Sequence, residues 1–149
     1  MELEKEMLAH AARVGNTEVL QELINRGAAL DQRDPKGYTP LILACYNGQF
    51  AAAKLLIENG ANVDAADDGG NTALMGAAFK GHVAIAELLI ANGASLDLQH
   101  GNGGTALMFA AMFGRNELVK LLILQGADTR ICDARGLKAV DLAAQQGNE

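Results

Sequence analysis

Asp34-Pro-Lys-Gly-Tyr-Thr-Pro-Leu-Ile-Leu-Ala-Cys-Tyr-Asn-Gly48 reads as a turn followed by a helix too short to stand alone. Asp34 and Gly37 supply turn chemistry. Thr39 carries the side-chain acceptor of an N-cap, and Pro40 sits at the first helical position, where a missing N–H is harmless. Leu41, Ala44 and Cys45 recur at i, i+3 and i+4 and form one apolar face, and Gly48 suits the left-handed residue that ends the helix. A second helix is predicted from about Gln49 to Glu58, with Ala52, Leu55 and Leu56 on its buried side. Gly60 closes it, and Ala61-Asn-Val-Asp-Ala65 leads into another turn.

The plan recurs 33 residues later, and again after another 33, with no insertion or deletion. Gly15, Gly48, Gly81, Gly114 and Gly147 form one series and Gly27, Gly60, Gly93 and Gly126 a second. Thr39, Thr72 and Thr105 form a third, and Leu23, Leu56, Leu89 and Leu122 a fourth. A fixed period of this size means one supersecondary unit stacked on copies of itself. Each unit is too small to bury its own apolar face and takes its core from its neighbours. The alanines of the first helices let units approach closely, and the leucines of the second helices fill the space behind.

The expected architecture is an all-α repeat solenoid, a single domain over residues 1–149 made of about four and a half 33-residue units. Residues 1–33 lack the leading turn and read as an N-terminal capping repeat, with Glu2, Glu4, Lys5 and Glu6 on a polar outer face. Full repeats are expected over 34–66, 67–99 and 100–132, their helix pairs joined by β-hairpin or turn connections, and a half-repeat over 133–149. That half-repeat ends two residues after Gly147 without a second helix. Either it is itself the cap or a longer chain continues beyond Glu149.

The units resemble ankyrin repeats. That family's turn, Thr-Pro-Leu-His-x-Ala-Ala, Gly, Leu-Leu and Gly-Ala-Asp-Val pattern is matched by Thr39-Pro40-Leu41, Gly48, Leu55-Leu56 and Gly60-Ala61-Asn62-Val63, and the match extends over almost the whole chain. The family's histidine is replaced by Ile42, Met75 and Met108, which implies apolar contact in place of its hydrogen bonds. His100 stands where an aspartate usually begins the turn. Thr129-Arg130 replaces the apolar–acidic pairs Leu30-Asp31, Val63-Asp64 and Leu96-Asp97, so the last hairpin is expected to be less regular. The compact Thr-Ala-Leu-Met units are also similar to those of short bacterial ankyrin-repeat proteins, some of which regulate or protect a neighbouring gene's product.

Composition narrows the functional classes. The formal charge is -6, which argues against the molecule as a whole displacing counterions from nucleic acid. No stretch approaches a membrane span, and the acidic N-terminus Met1-Glu-Leu-Glu-Lys-Glu-Met is unlike a secretory signal. Cys45 and Cys132 fall at non-equivalent places in the repeat and suggest no disulfide framework, so a reducing cytoplasm is the expected setting. The expected partner is a protein, with neither nucleic acid nor membrane. The chain is expected to be monomeric, with weak self-association through the C-terminal end as the open alternative.

Catalytic chemistry has little to build on. His10, His82 and His100 do not gather in the repeat, no Cys/His pair has zinc spacing, and no Gly-x-Ser-x-Gly is present. His82 follows the helix-ending Gly81 and is expected to be structural. His100, on a turn tip, is left open as a partner contact. Asp67-Asp-Gly-Gly-Asn71 lacks the twelfth-position carboxylate of a calcium loop and fits a turn. Neither an enzyme, a metal nor a cofactor is expected.

The ankyrin resemblance implies a concave groove lined by the turn tips and the outward side of the first helices. Its stripe would be Arg13, Tyr46, Phe79, Met112 and Gln145, flanked by Val14, Asn47, Lys80, Phe113 and Gln146. The tips add Arg33, Lys36, Tyr38, Asp68, Asn102 and Arg135, among others. Four of the chain's six aromatic residues fall in this set. Aromatic residues anchor interfaces because they bury large area at low entropic cost. The candidate binding residues are Arg13, Lys36, Tyr38, Tyr46, Phe79, Lys80, Met112, Phe113 and Arg135. An alternative function is that of a regulatory segment of a larger protein or a self-associating structural unit. The aromatic stripe has a simpler reading too, in which Tyr46, Phe79 and Met112 only pack on one another.

Overall fold

A computed structural model describes residues 2–147, apart from the Glu2 side chain. The polar role expected of that side chain and the chain end at Glu149 therefore lie outside the described residues. Nine helices are present in this span: α1 (Glu2–Val14), α2 (Thr17–Asn25), α3 (Pro40–Tyr46), α4 (Phe50–Glu58), α5 (Ala73–Lys80), α6 (Val83–Ala91), α7 (Ala106–Met112), α8 (Asn116–Leu124) and α9 (Ala139–Gln145). None of these helices is long and apolar enough to cross a membrane. They form an all-α solenoid in which α1, α3, α5, α7 and α9 make one layer of successive neighbours and α2, α4, α6 and α8 the second.

Three buried threonines start the first helices. Thr39, Thr72 and Thr105 accept the N–H groups of Ile42, Met75 and Met108 through Oγ1 at 3.2, 3.3 and 3.3 Å. Each cap satisfies an amide that the helix itself cannot pair. At the fourth copy Lys138 stands instead, and its N–H donates to Asp141 Oδ2 at 2.9 Å. Gly81 ends α5 at φ 83°, a left-handed conformation that a side chain would strain.

The alanine layer forms as expected. Ala44, Ala77 and Ala110 have no exposed surface, and neither do Leu56, Leu89 and Leu122 behind them. In α4 the buried residues are Ala52, Ala53 and Leu56, whereas Leu55, about 100° around the helix from Leu56, is half-buried. Met75 departs from a purely apolar role: its Sδ accepts the Thr72 N–H at 3.5 Å, a weak return bond across the cap. Ile42 and Met108 are buried against the core.

The connections are turns rather than paired strands. The sole bridge among the described residues joins Ala66 to Thr72. At each tip the first residue's N–H meets the carbonyl four residues on, as in Asp34 to Tyr38 at 2.9 Å and Asp133 to Leu137 at 2.8 Å. The last tip is thus as regular as the first, contrary to the expectation from Thr129-Arg130. Its geometry depends on Asp133, whose Oδ1 accepts the Arg135 and Leu137 N–H groups, and not on the pair that precedes it. His100 fills the aspartate's place only in part, since Nδ1 faces the Asn102 N–H at 3.4 Å.

Two ladders of hydrogen bonds join the units. In the first, Asp31, Asp64 and Asp97 accept the backbone N–H groups of Asn62, Ser95 and Asp128 through Oδ1 at 3.0, 2.9 and 2.9 Å. In the second, Gln49 Nε2 and Arg115 Nε donate to the carbonyls of Arg13 and Phe79 at 3.2 and 3.1 Å, and His82 Nε2 lies 3.2 Å from the Tyr46 carbonyl. Three different side chains at one register thereby tie the ends of α1, α3 and α5 to the next unit. His82 has the structural role expected of it.

Candidate functional site

The ladder fixes the backbone of the very residues whose side chains form the aromatic stripe. Tyr46 is the last residue of α3 and Phe79 the last but one of α5, and their rings lie parallel, 5.9 Å apart at an interplanar angle of 9°. Phe113 meets Phe79 edge-on with centroids 4.6 Å apart and an angle of 84°. Aromatic pairs in these arrangements gain about 0.5–1.5 kcal/mol beyond their buried area. The packing-only reading is therefore correct about Phe79, which is half-buried between its neighbours. The outer rings stay open: Tyr46 and Phe113 remain 41% and 43% exposed, as do other apolar side chains elsewhere on the surface, among them Val14, Phe50, Leu124 and Val140.

Phe109 completes the cluster, edge-on to Phe79 at 6.5 Å and tilted on His100 at 5.1 Å. It is absent from the sequence-derived stripe because it sits three positions earlier in its helix. Its register, shared with Leu43, Gly76 and Leu142, varies in size from unit to unit: the two leucines are buried, while Gly76 and Phe109 are half-buried at the face. His100 is drawn into the site through this contact.

Two open depressions lie along the face made by the tips and first helices. One, of about 440 Å³, is bordered by Arg13, Tyr38, Tyr46, Met75, Gly76 and Phe79. The other, of about 500 Å³, is bordered by His100, Met108, Phe109, Met112, Arg135 and Leu142. Six of the nine candidate residues thus line one depression or the other. Phe113 and Lys80 adjoin the first through their contacts with Phe79 and Tyr46, and Lys36 sits exposed on the neighbouring tip.

The basic residues divide into groups that the sequence does not separate. Arg33 donates to the Ala66 carbonyl at 2.6 Å and so braces the next tip. Arg135 pairs with Asp133 at 2.9 Å. Lys80 Nζ stands 5.1 Å from the centroid of the Tyr46 ring, a cation–π contact that holds charge over the cluster. Among the described residues Arg13, Lys36 and Lys80 form no ion pair.

Two carboxylates depart from ordinary values. The Leu137 N–H, and after it Arg135, hold the Asp133 carboxyl below the usual carboxylate range. The side-chain hydrogen bond from Arg130 does the same for Asp128. Burial pushes the Cys45 thiol up to about 12, which makes it a poor nucleophile, while Cys132 is exposed. No group of three or more His, Cys, Asp or Glu side chains is arranged to hold a metal among the described residues. The site offers apolar area, shape and charge.

The described residues thus form a solenoid of helix pairs with an aromatic face. Residues 8–100 match a family model for ankyrin repeats in three copies, and residues 89–143 match one for ankyrin repeats in many copies. The chain belongs to the ankyrin-repeat family. Ankyrin repeats are generally protein–protein interaction modules. No curated protein matches the chain.

Proposed function

We propose that this chain is a non-enzymatic binding module whose groove holds an acidic or amphipathic segment of a partner protein. The observation that carries the reading is the exposed Tyr46–Phe79–Phe113 cluster with the Lys80 ammonium above it. Tyr46, Phe79, Met112 and Phe113 act as anchors, with Tyr38 at the edge. Arg13, Lys36 and Lys80 steer an acidic partner and set its on-rate. Arg135, held beside Asp133, contributes less. The free cysteines, one of them exposed, fit a reducing cytoplasmic setting. The test is affinity capture from an extract of the source organism, comparing the wild type with a folded Tyr46→Ala/Phe79→Ala/Lys80→Ala variant. A protein retained by the first and lost by the second supports the reading. Equal retention by both places binding elsewhere.

A second reading, self-association through the C-terminal end, is favoured by the exposure of Leu124 and Val140 at 82% and 70%. Sedimentation equilibrium decides it. A mass that rises with concentration and falls back in Leu124→Lys supports it, and a plain monomer at high concentration removes it.

A further inference from the structure

The register His10, Leu43, Gly76, Phe109, Leu142 carries a large apolar side chain in α3, α7 and α9, a histidine in α1 and no side chain in α5. Gly76 lies inside that helix and is not among the residues with positive φ. A Cβ added there would meet the Tyr46 ring and backbone at 3.6–3.8 Å, ordinary contact. Neither torsion nor crowding therefore calls for glycine, and alanine is the better helix former. The chain forgoes helix stability at this one position, which is the pattern expected where function opposes stability.

The missing side chain opens the face. Gly76 lies in the 440 Å³ depression among Leu43, Tyr46, Met75, Phe79 and Phe109. Such a volume falls in the ~300–1,000 Å³ range of pockets that hold small ligands, room for a bulky side chain and adjoining peptide backbone. Basic side chains near it remain available, and one acidic side chain, Asp68, is exposed on the adjoining tip. Arg13 is on the rim and Lys80 is over Tyr46, neither in an ion pair among the described residues. The nearby Asp67 carboxylate is turned inward to the Gly69 and Asn71 N–H groups.

We propose that Gly76 opens a socket for one large apolar side chain, leucine, methionine or phenylalanine, of a partner peptide segment whose adjacent residues are acidic. The proposal rests on the groove reading above and names the residue class received at its centre.

The test selects a random peptide library displayed on phage against the wild-type chain. Enriched peptides are then synthesised and titrated by fluorescence anisotropy against wild type, Gly76→Ala, Gly76→Leu, Tyr46→Ala and Phe113→Ala. The enriched peptides are expected to share one Leu, Met or Phe flanked by Asp or Glu. Gly76→Leu, which restores a side chain that other units carry, is expected to weaken binding at least about tenfold and to melt no lower than wild type. Replacing the peptide's apolar residue by Ala should cause a similar loss on wild type and almost none on Gly76→Leu, because both changes remove the same contact. If leucine unfolds the chain, Gly76→Ala provides the comparison with a loss of about threefold. Peptides that bind Gly76→Leu as tightly as wild type, yet lose affinity for Tyr46→Ala or Phe113→Ala, overturn the socket and leave the groove reading in place. Peptides insensitive to every substitution, or no enrichment at all, overturn both.

Discussion

The His82 imidazole reaches across the repeat boundary to place Nε2 3.2 Å from the Tyr46 carbonyl, while the Tyr46 ring stacks on Phe79 in the same unit as His82. Backbone and ring of one residue are thus held by the same neighbouring repeat. A residue fixed in this way loses little further freedom on binding, which is the source of affinity in a preorganised site. If the hydrogen bond matters, His82→Ala should destabilise the chain by about 1 kcal/mol in urea unfolding. His82→Gln should recover most of that, because Gln49 makes the equivalent bond to Arg13 with an amide. Equal losses in the two variants would assign the effect to packing of the ring.

The cysteines are predicted to react one at a time. Burial raises the Cys45 thiol to about 12, and Cys132 is exposed. At neutral pH a thiol-specific chromogenic reagent should modify Cys132 rapidly, and Cys45 only when denaturant unfolds the repeats. Rapid modification of both in the folded protein would mean that the alanine core around Cys45 opens readily.

The last turn tip should loosen in acid. Because Asp133 has a lowered pKa in the folded chain, its ionised form favours the fold. That contribution is complete above the unfolded value of about 3.9 and is lost as pH falls through the lower folded value. Amide resonances of Arg135 and Leu137 should therefore shift together as the pH is taken below about 4. Asp133→Asn keeps an acceptor oxygen, so it should retain the tip and abolish the shift. A titration unchanged in Asp133→Asn would show that another carboxylate is responsible.

Partner association should be sensitive to Lys80 more than to Arg135. Lys80→Gln removes a charge poised over Tyr46, so it should slow association and flatten its dependence on salt. Arg135→Gln removes a charge already paired with Asp133 and should leave the association rate within about twofold. Stopped-flow mixing at several ionic strengths measures both, and the reverse ranking would move the charged rim to the last tip.

The fold could be read from spacing alone because recurrence of Thr39, Gly48 and Gly60 at 33 residues constrains every unit at once. The candidate face was legible where the same alignment isolates a variable position, as at Tyr46, Phe79 and Met112. It was not legible where unlike residues do one job. Gln49, His82 and Arg115 share no chemistry beyond an N–H donor, so their ladder appears only in three dimensions. Arg33 and Arg135 look like free charges in the sequence, yet one braces a carbonyl and the other a neighbouring aspartate. Phe109 and Gly76 escaped notice because they lie a helical turn before the expected stripe, where Leu43 suggests a core position. A comparison of side-chain size along that register is the signal that finds them.

Binding of a partner at the exposed aromatic cluster can be measured by titrating a captured partner calorimetrically against wild type, Tyr46→Ala, Phe113→Ala and Lys54→Ala, with the melting temperature of each. Lys54 is exposed on α4, in the second layer of helices, and serves as a control. Truncating either aromatic anchor should cost about 2 kcal/mol, roughly a thirtyfold rise in Kd, while Lys54→Ala stays close to wild type. Unchanged affinity in both aromatic variants, with loss in Lys54→Ala, would contradict the account and place the interface on the second-helix side of the solenoid.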